Sequence, residues 1–314
     1  MSLFDLVWNN QELRLRAPIR LIIVSLLVYC SYWLVSVACL SIRNDYIFYL
    51  SDEILTCLLT LVIFAVVFKY IDKRSFVNIG FVLNKYWFKS LFTGAFIGFV
   101  VISINFLIMF SFGFVKIEGV FATDNSYNFL LEFMGRGFGF LAVSISEELF
   151  VRGYLLINIA EGLTSKHISA KNGLIASLFI TSIIFGVLHF SNFNATIVSS
   201  VNLLFIGLLF GYAYLKTGSF ALPIGIHFAW NFTMAQLFGL NVSGFTPLVS
   251  LVKLNITGET ILTGGSFGPE GGLLILISVV IGILLVHLFT KSDFQHPNIL
   301  LDLKTTILKY PQII

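Results

Sequence analysis

Residues 273–289 read LLILISVVIGILLVHLF. No Asp, Glu, Lys or Arg interrupts this run, and its length approaches the about 20 helical residues that cross about 30 Å of hydrocarbon. A buried strand is shorter, and the alternation of apolar and polar residues that marks a membrane β-barrel is absent from the sequence. The stretch therefore predicts a helix that spans a membrane.

The composition of the whole chain indicates the same class of fold. Of its 314 residues, 57% are hydrophobic and only 11% are charged, and the mean hydropathy is +0.94, which is too apolar for a soluble domain. Eight stretches are long enough to span a membrane, at roughly residues 20–42, 50–71, 90–115, 129–157, 173–191, 196–215, 219–238 and 271–290. We expect an all-α, polytopic membrane bundle of about eight transmembrane helices.

The basic residues predict how this bundle is oriented, because Lys and Arg in short loops stay on the cytoplasmic side. If both termini are cytoplasmic, that side carries fourteen of the nineteen basic residues: Arg14, Arg16, Arg20, Lys69, Lys73, Arg74, Lys85, Lys89, Lys166, Lys171, Lys216, Lys291, Lys304 and Lys309. The opposite side carries Arg43, Lys116 and Lys253. We therefore expect cytoplasmic termini in a multi-pass protein of a cell membrane. The richness in Ile, Asn, Lys and Phe is typical of an AT-rich bacterial genome, so we expect that membrane to be the plasma membrane of a bacterium.

No internal repeat, linker or low-complexity tract divides the chain, so we expect one integral membrane domain over residues 1–314, with residues 291–314 as a cytoplasmic tail. The net charge of +3 follows from the topology, and no basic face outside the membrane indicates nucleic acid as a partner. Residues 241–272 form a connection rich in Gly, Thr and Asn. It either caps the bundle and touches substrate or is a passive connector.

The fourth predicted span contains charges, in the sequence Ser146-Glu147-Glu148-Leu149-Phe150-Val151-Arg152. Each charge at the centre of a bilayer costs roughly 2.5–3.5 kcal/mol, so such residues usually face a cavity and have a function. Residues four apart share a helix face, which predicts an ion pair between Glu148 and Arg152. Glu147 is turned by about 100° from Glu148 and is left for another task.

Two later spans bring further polar residues into the membrane. Phe185 and His189 are four residues apart in the fifth span, and His227 and Asn231 are four apart in the seventh. If His189 lies across from Glu147, the two can hold and deprotonate a water. His227 and Asn231 can then donate hydrogen bonds to the oxyanion that forms when this water attacks a carbonyl.

Three motifs follow one another on separate predicted helices: Glu147-Glu148-x-x-x-Arg152, Phe185-x-x-x-His189 and His227-x-x-x-Asn231. Over about residues 129–231 this set resembles the CPBP family of intramembrane glutamic endopeptidases, which comprises the CAAX proteases and the bacteriocin-processing (Abi) enzymes. The resemblance implies an eight-helix bundle around a water-filled hydrolytic cavity, with a catalytic core at about residues 129–238. It also implies a peptide or protein substrate in or at the lipid bilayer, and no cofactor.

Carried over residue by residue, the resemblance assigns activation of the water to Glu147 and His189. It assigns the oxyanion site to His227 and Asn231, and a supporting role to the second acid and the arginine of the first motif. The nature of the substrate, including whether it carries a prenyl group, does not follow from these residues.

Three other functions remain open at this point. Glu147, Glu148, His189 and His227 could ligate zinc, although the His-Glu-x-x-His motif of membrane metalloproteases is absent. The same residues could relay protons in a transporter, although no inverted repeat supports that reading. A non-catalytic scaffold or immunity protein that binds a partner in the membrane is the third alternative.

Overall fold

A computed structural model describes residues 7–10, 12–123 and 128–290 of the chain. Within these residues a helix lies at each of the eight predicted positions: α1 (Ala17–Cys39), α2 (Asp45–Val66), α3 (Lys85–Ser111), α4 (Phe129–Glu148), α5 (Ala170–Leu188), α6 (Ile197–Thr217), α7 (Ala221–Phe232) and α8 (Ile275–Phe289). The expected helical fold is confirmed. The expected tail at residues 291–314 lies outside the described residues.

In the described part of the chain, five helical segments are long and apolar enough to cross a membrane: α1, α2 as far as Asp72, α3, α5 as far as Ser191, and α6. α8 is equally apolar but has only 15 residues. The other two, α4 and α7, carry most of the residues of the predicted site. The chain is thus a polytopic helical membrane protein, while the side on which its termini lie stays a prediction.

Three helices change their hydrogen-bonding pattern near one end. α2, α4 and α7 continue into wider π-helical turns at Val67–Asp72, Leu149–Leu156 and Thr233–Leu237, and α4 then resumes as an α-helix at Ile157–Leu163. π turns inside α-helices frequently occur at functional sites. Here one begins directly after Glu148 and another two residues after Asn231, so both adjoin predicted site residues.

Among the residues that the structure describes, two small antiparallel sheets accompany the helices and were not predicted. β1 (Trp8–Asn9) pairs with β2 (Arg14–Leu15), and β3 (Val115–Thr123) pairs with β4 (Val249–Ile256). The third predicted span, 90–115, therefore ends too late, because α3 stops at Ser111. The connection 241–272 likewise contains β4 and a one-turn helix, Thr260–Thr263. The apolar residues of β4 partly alternate with polar ones, as in a strand that has one face covered.

Glycines bring α3 and α7 into close contact. A Cβ atom on Gly94 would lie 2.3 Å from the carbonyl oxygen of Leu222, and one on Gly98 would lie 2.5 Å from that of Ile226. From the other side, a Cβ on Gly225 would lie 2.1 Å from the Leu91 oxygen. Small residues let helix backbones approach in membranes, so this contact fixes the height and rotation of α7.

A cluster of ion pairs joins the ends of α1, α2 and the extended α4. Glu161 lies 2.6 Å from Arg74, 2.9 Å from Arg20 and 3.2 Å from Arg14, and Asp72 lies 3.3 Å from Arg20. Burial of Glu161, which is beyond the predicted span 129–157, acts to raise the pKa of its carboxyl. The three guanidinium groups outweigh burial and lower that pKa to about 2.

Candidate active site

A cavity of about 1220 Å³ opens among the helices, and residues of α1, α2, α4, α5, α6, α7 and the loop 242–248 line it. Its lining includes all four residues expected to be catalytic: Glu147, His189, His227 and Asn231. Side chains from three separate motifs thus face one space. This shared cavity is the candidate active site.

The expected pair of Glu148 and Arg152 is present, and both side chains are buried. Arg152 Nη1 donates to Glu148 Oε1 over 2.8 Å, and Nη2 donates to the Gly207 carbonyl oxygen over 3.0 Å. The guanidinium also lies over the rings of Phe185, at 4.8 Å, and Phe210, at 5.4 Å. These contacts connect the end of α4 with α5 and α6. They also explain the phenylalanine of the second motif, because the ring of Phe185 packs against the Arg152 guanidinium.

The imidazole of His227 lies between the two glutamates of α4, which the sequence did not predict. Its Nδ1 is 3.0 Å from Glu148 Oε1, and its Nε2 is 3.9 Å from Glu147 Oε2. The ring stacks on Phe210 with centroids 4.9 Å apart. An ionised carboxylate only accepts hydrogen bonds, so Nδ1 carries a proton and Nε2 is the atom presented to Glu147.

Glu147 and its neighbour Glu148 have different surroundings. The side chain of Glu147 is 28% exposed and lines the cavity, whereas that of Glu148 is fully buried. Glu147 Oε2 has no hydrogen-bond partner among the described residues. Glu147 therefore reaches the cavity, whereas Glu148 is held by Arg152 and His227.

His189 lies on the 3₁₀ turn His189–Ser191 that closes α5. Its Nδ1 is 2.8 Å from the carbonyl oxygen of Phe185. A carbonyl only accepts, so Nδ1 carries the proton of the neutral ring and Nε2 keeps a lone pair that can act as a base. Within the described part of the chain no hydrogen bond joins His189 to Glu147, although both line the cavity.

Asn231 lies one turn after His227 on α7, and its side chain is buried at the wall of the cavity. The amide group offers two N–H donors and one acceptor. Because His227 and Asn231 lie one turn apart on the same helix, the distance between them is set by helix geometry.

Glu270 belongs to the cavity wall and was not among the expected site residues. It is 3% exposed and lies in the Gly-rich connection before α8. The indole Nε1 of Trp230 donates to its Oε1 over 3.1 Å. The sequence did carry a signal for Glu270, which is an acid within Gly-Pro-Glu-Gly-Gly next to a predicted span. Its distance along the chain from the three motifs, however, did not indicate a contact with α7.

A second ion pair, between Arg136 and Glu53, lines the same cavity. Arg136 on α4 donates to both carboxylate oxygens of Glu53 on α2, over 2.6 Å and 2.9 Å. Such a bidentate pair is strong and geometrically specific. It fixes α2 to α4 beside the site.

No group of three or more His, Cys, Asp or Glu side chains is arranged to hold a metal ion in residues 7–10, 12–123 and 128–290. Of the four side chains considered as zinc ligands, two are bonded to each other, since His227 contacts Glu148, which also binds Arg152.

Comparison with protein families gives a match to part of the chain. Residues 129–233 match the Rce1-like family model, described as type II CAAX prenyl endopeptidase Rce1-like. The matched region contains all three motifs and excludes Glu270. Neither the curated proteins nor the solved structures include a significant match to the chain. The family match confirms the resemblance drawn from the motifs.

Proposed function

We propose that this chain, whose residues 129–233 match the Rce1-like family model, is a CAAX-type membrane endopeptidase that cleaves peptide bonds by a metal-independent mechanism based on Glu147. The observation that carries the proposal is that Glu147 lines the same cavity as His189, His227 and Asn231, with its Oε2 3.9 Å from His227 Nε2. The carboxylate can serve as a general base, and the other three side chains supply a second base and the donors that acyl transfer needs.

In the first step a water in the cavity loses a proton to Glu147 as its oxygen attacks the carbonyl carbon of the peptide. The lone pair on His189 Nε2 accepts a hydrogen bond from the same water and orients it. Hydrogen bonding of Nδ1 to the Phe185 carbonyl supports this role, because it keeps the lone pair on the nitrogen that is free of the helix end.

The attack places negative charge on the former carbonyl oxygen, and His227 and Asn231 donate hydrogen bonds to it. For this role His227 carries protons on both ring nitrogens, so that Nδ1 donates to Glu148 Oε1 and Nε2 donates to the oxyanion. Collapse of the intermediate breaks the carbon–nitrogen bond. Glu147 returns its proton to the departing amine, so that the products are a carboxylic acid and an amine.

We propose a peptide or protein substrate that lies in or at the membrane. Apolar residues of α1 and α5 form much of the cavity wall, among them Leu21, Leu26, Ile184 and Leu188. Such a wall favours a substrate with an apolar segment beside the scissile bond. Prenylated peptides and matched unprenylated peptides, assayed side by side, will show whether a prenyl group is recognised.

The deciding experiment assays the purified protein in liposomes against a library of membrane-associated peptides. Glu147→Gln and His189→Ala are expected to abolish turnover, because each removes a base while leaving the helices intact. Glu118→Gln is the matched control, since Glu118 is an exposed residue of β3 outside the cavity, and it should retain the wild-type rate. Full activity of a folded Glu147→Gln protein would contradict the mechanism.

A further inference from the structure

The loop 242–248 forms one wall of the active-site cavity and is held from several directions. Asn192 Nδ2 donates to the Ser243 carbonyl oxygen over 3.0 Å, and the Gly244 amide donates to the Phe267 oxygen over 2.9 Å. Ser243 and Gly244 have φ values of 47° and 90°. The left-handed conformation is unfavourable for serine, so other contacts must stabilise it.

Glu270 makes the strongest of these contacts. Its Oε2 accepts hydrogen bonds from the amide of Ser243, at 2.7 Å, and from the hydroxyl of the same residue, at 2.8 Å. Asn202 on α6 fixes the backbone of this acid by donating to the carbonyl oxygens of Glu270 and Gly272, both at 2.9 Å. The carboxylate therefore reaches the loop from a backbone that is itself anchored.

The other oxygen of Glu270 reaches α7. Oε1 accepts from Trp230, which lies between His227 and Asn231 in the sequence. The ring of Trp230 also packs edge-on against Phe210, at 6.2 Å, and Phe210 stacks on His227. One carboxylate thus connects the loop at the cavity wall with the helix that carries two of the expected catalytic side chains.

We propose that Glu270 is a positioning residue for the peptidase site. It holds the loop 242–248 against the cavity and at the same time fixes α7 through Trp230. The inference rests on the proposed function, because it describes how the same site keeps its geometry. It adds a residue outside the region that matches the family model.

The side chain of Glu270 acts only as an acceptor here, because it accepts hydrogen bonds from three donors: the indole N–H of Trp230 and the amide and hydroxyl of Ser243. A glutamine at this position has nearly the same shape, but its NH₂ group faces a donor on one side. If its oxygen serves Ser243, the NH₂ opposes the indole N–H of Trp230. Hydrogen bonds to a charged group are worth more than neutral ones, so their loss is measurable.

The test compares Glu270→Gln, Ser243→Ala and Trp230→Phe with the wild type in the peptidase assay. Glu270→Gln is expected to reduce kcat/KM by about 10- to 100-fold, with a raised KM and a lowered kcat. Ser243→Ala removes only a loop contact and should raise KM while kcat stays within about twofold. Combining Glu270→Gln with Trp230→Phe removes the opposing donor, so the double variant should lose less than the product of the two single losses.

Hydrogen–deuterium exchange gives a readout that does not depend on activity. In Glu270→Gln the amides of residues 242–248 should exchange faster than in the wild type, because Ser243 loses a charged acceptor. Glu259→Gln is the matched control, since Glu259 is an exposed residue of the same connection and should alter neither exchange nor kinetics. Melting temperatures verify that the compared proteins are folded.

The results separate this inference from the proposed function. A wild type that cleaves no peptide would contradict the proposed function, while exchange in the loop would still test the contact of Glu270 with Ser243. An active wild type with unchanged KM, kcat and loop exchange in folded Glu270→Gln would overturn the positioning role. If Glu270→Gln does not fold, wild-type kinetics in both Ser243→Ala and Trp230→Phe would overturn it as well.

Discussion

His227 Nδ1 and Glu148 Oε1 are 3.0 Å apart, and this contact joins α7 to α4 at the centre of the candidate site. The same carboxylate oxygen accepts the hydrogen bond from Arg152. Glu148 therefore does more than neutralise an arginine, because it also orients the imidazole whose other nitrogen faces Glu147. A partner of this kind fixes both the rotation of the ring and the nitrogen that carries the proton.

The first prediction concerns this shared carboxylate. Glu148→Gln keeps the size of the side chain but leaves Arg152 without its buried counter-charge, which should cost about 3–5 kcal/mol of stability. Peptidase activity should fall by about 10- to 100-fold, as for other groups that orient a reacting residue. Thermal unfolding and initial rates measure the two effects. Wild-type stability and rate together would show that the contact with His227 is dispensable, and Glu118→Gln provides the unaffected control.

The second prediction concerns the glycine contact between α3 and α7. Gly225→Ala introduces a methyl group 2.1 Å from the Leu91 oxygen, so the helices must move apart. Overpacking of this kind costs typically about 1–3 kcal/mol, and the displacement carries His227 away from Glu148. We expect a lower melting temperature and a reduced kcat. Gly119→Ala is the control, because nothing lies within 4 Å of its new methyl group, and equal behaviour of the two variants would contradict the prediction.

The third prediction is a pH dependence of stability that comes from Glu161. Its pKa falls from 4.5 to about 2 on folding, which corresponds to about 3 kcal/mol of stabilisation. A depressed pKa stabilises the fold fully above about 4.5, and the stabilisation is lost as the pH falls through about 2. Glu161→Gln should therefore be less stable than the wild type at pH 7, with the difference reduced to less than half at pH 3. Unfolding in detergent micelles at both pH values measures it, and an equal difference at both would argue against the ion cluster as the cause.

The fourth prediction concerns metal dependence. Activity should persist after dialysis against a strong chelator, because Glu148 is hydrogen-bonded both to His227 and to Arg152 rather than arranged with His227 around a common point. Elemental analysis of the active protein provides the second measurement. Loss of activity on chelation, followed by recovery with added zinc, would replace the glutamate mechanism with the zinc alternative.

The contacts that the sequence predicted correctly lie within single helices. Glu148 and Arg152 are four residues apart, and helix geometry alone brings them together. The contact of His227 with Glu148 could not be predicted in this way, since it depends on how α7 is rotated against α4. That rotation follows from packing contacts such as Gly98 against Ile226.

Structure outside the helices was harder to predict for a related reason. β4 pairs with β3, so Ile256 finds its partner, Val115, far away along the chain. The position of Glu270 against Trp230 depends on the same folding back of the connection. The π turn that contains Arg152 was not predicted either. In a π turn each backbone hydrogen bond spans one residue more than in an α-helix, and the spacing of apolar residues does not reveal this difference.

The close packing of α3 and α7 has a consequence for how the protein sits in its lipid. The 12 residues of α7 extend about 18 Å, well short of a bilayer core, whereas the 27 residues of α3 extend about 40 Å. We therefore expect α3 to be the member of this pair that adjusts to bilayer thickness by tilting, and α7 to move with it. On this expectation, the depth at which His227 meets a substrate depends on the hydrophobic length of a neighbouring helix that carries none of the three motifs.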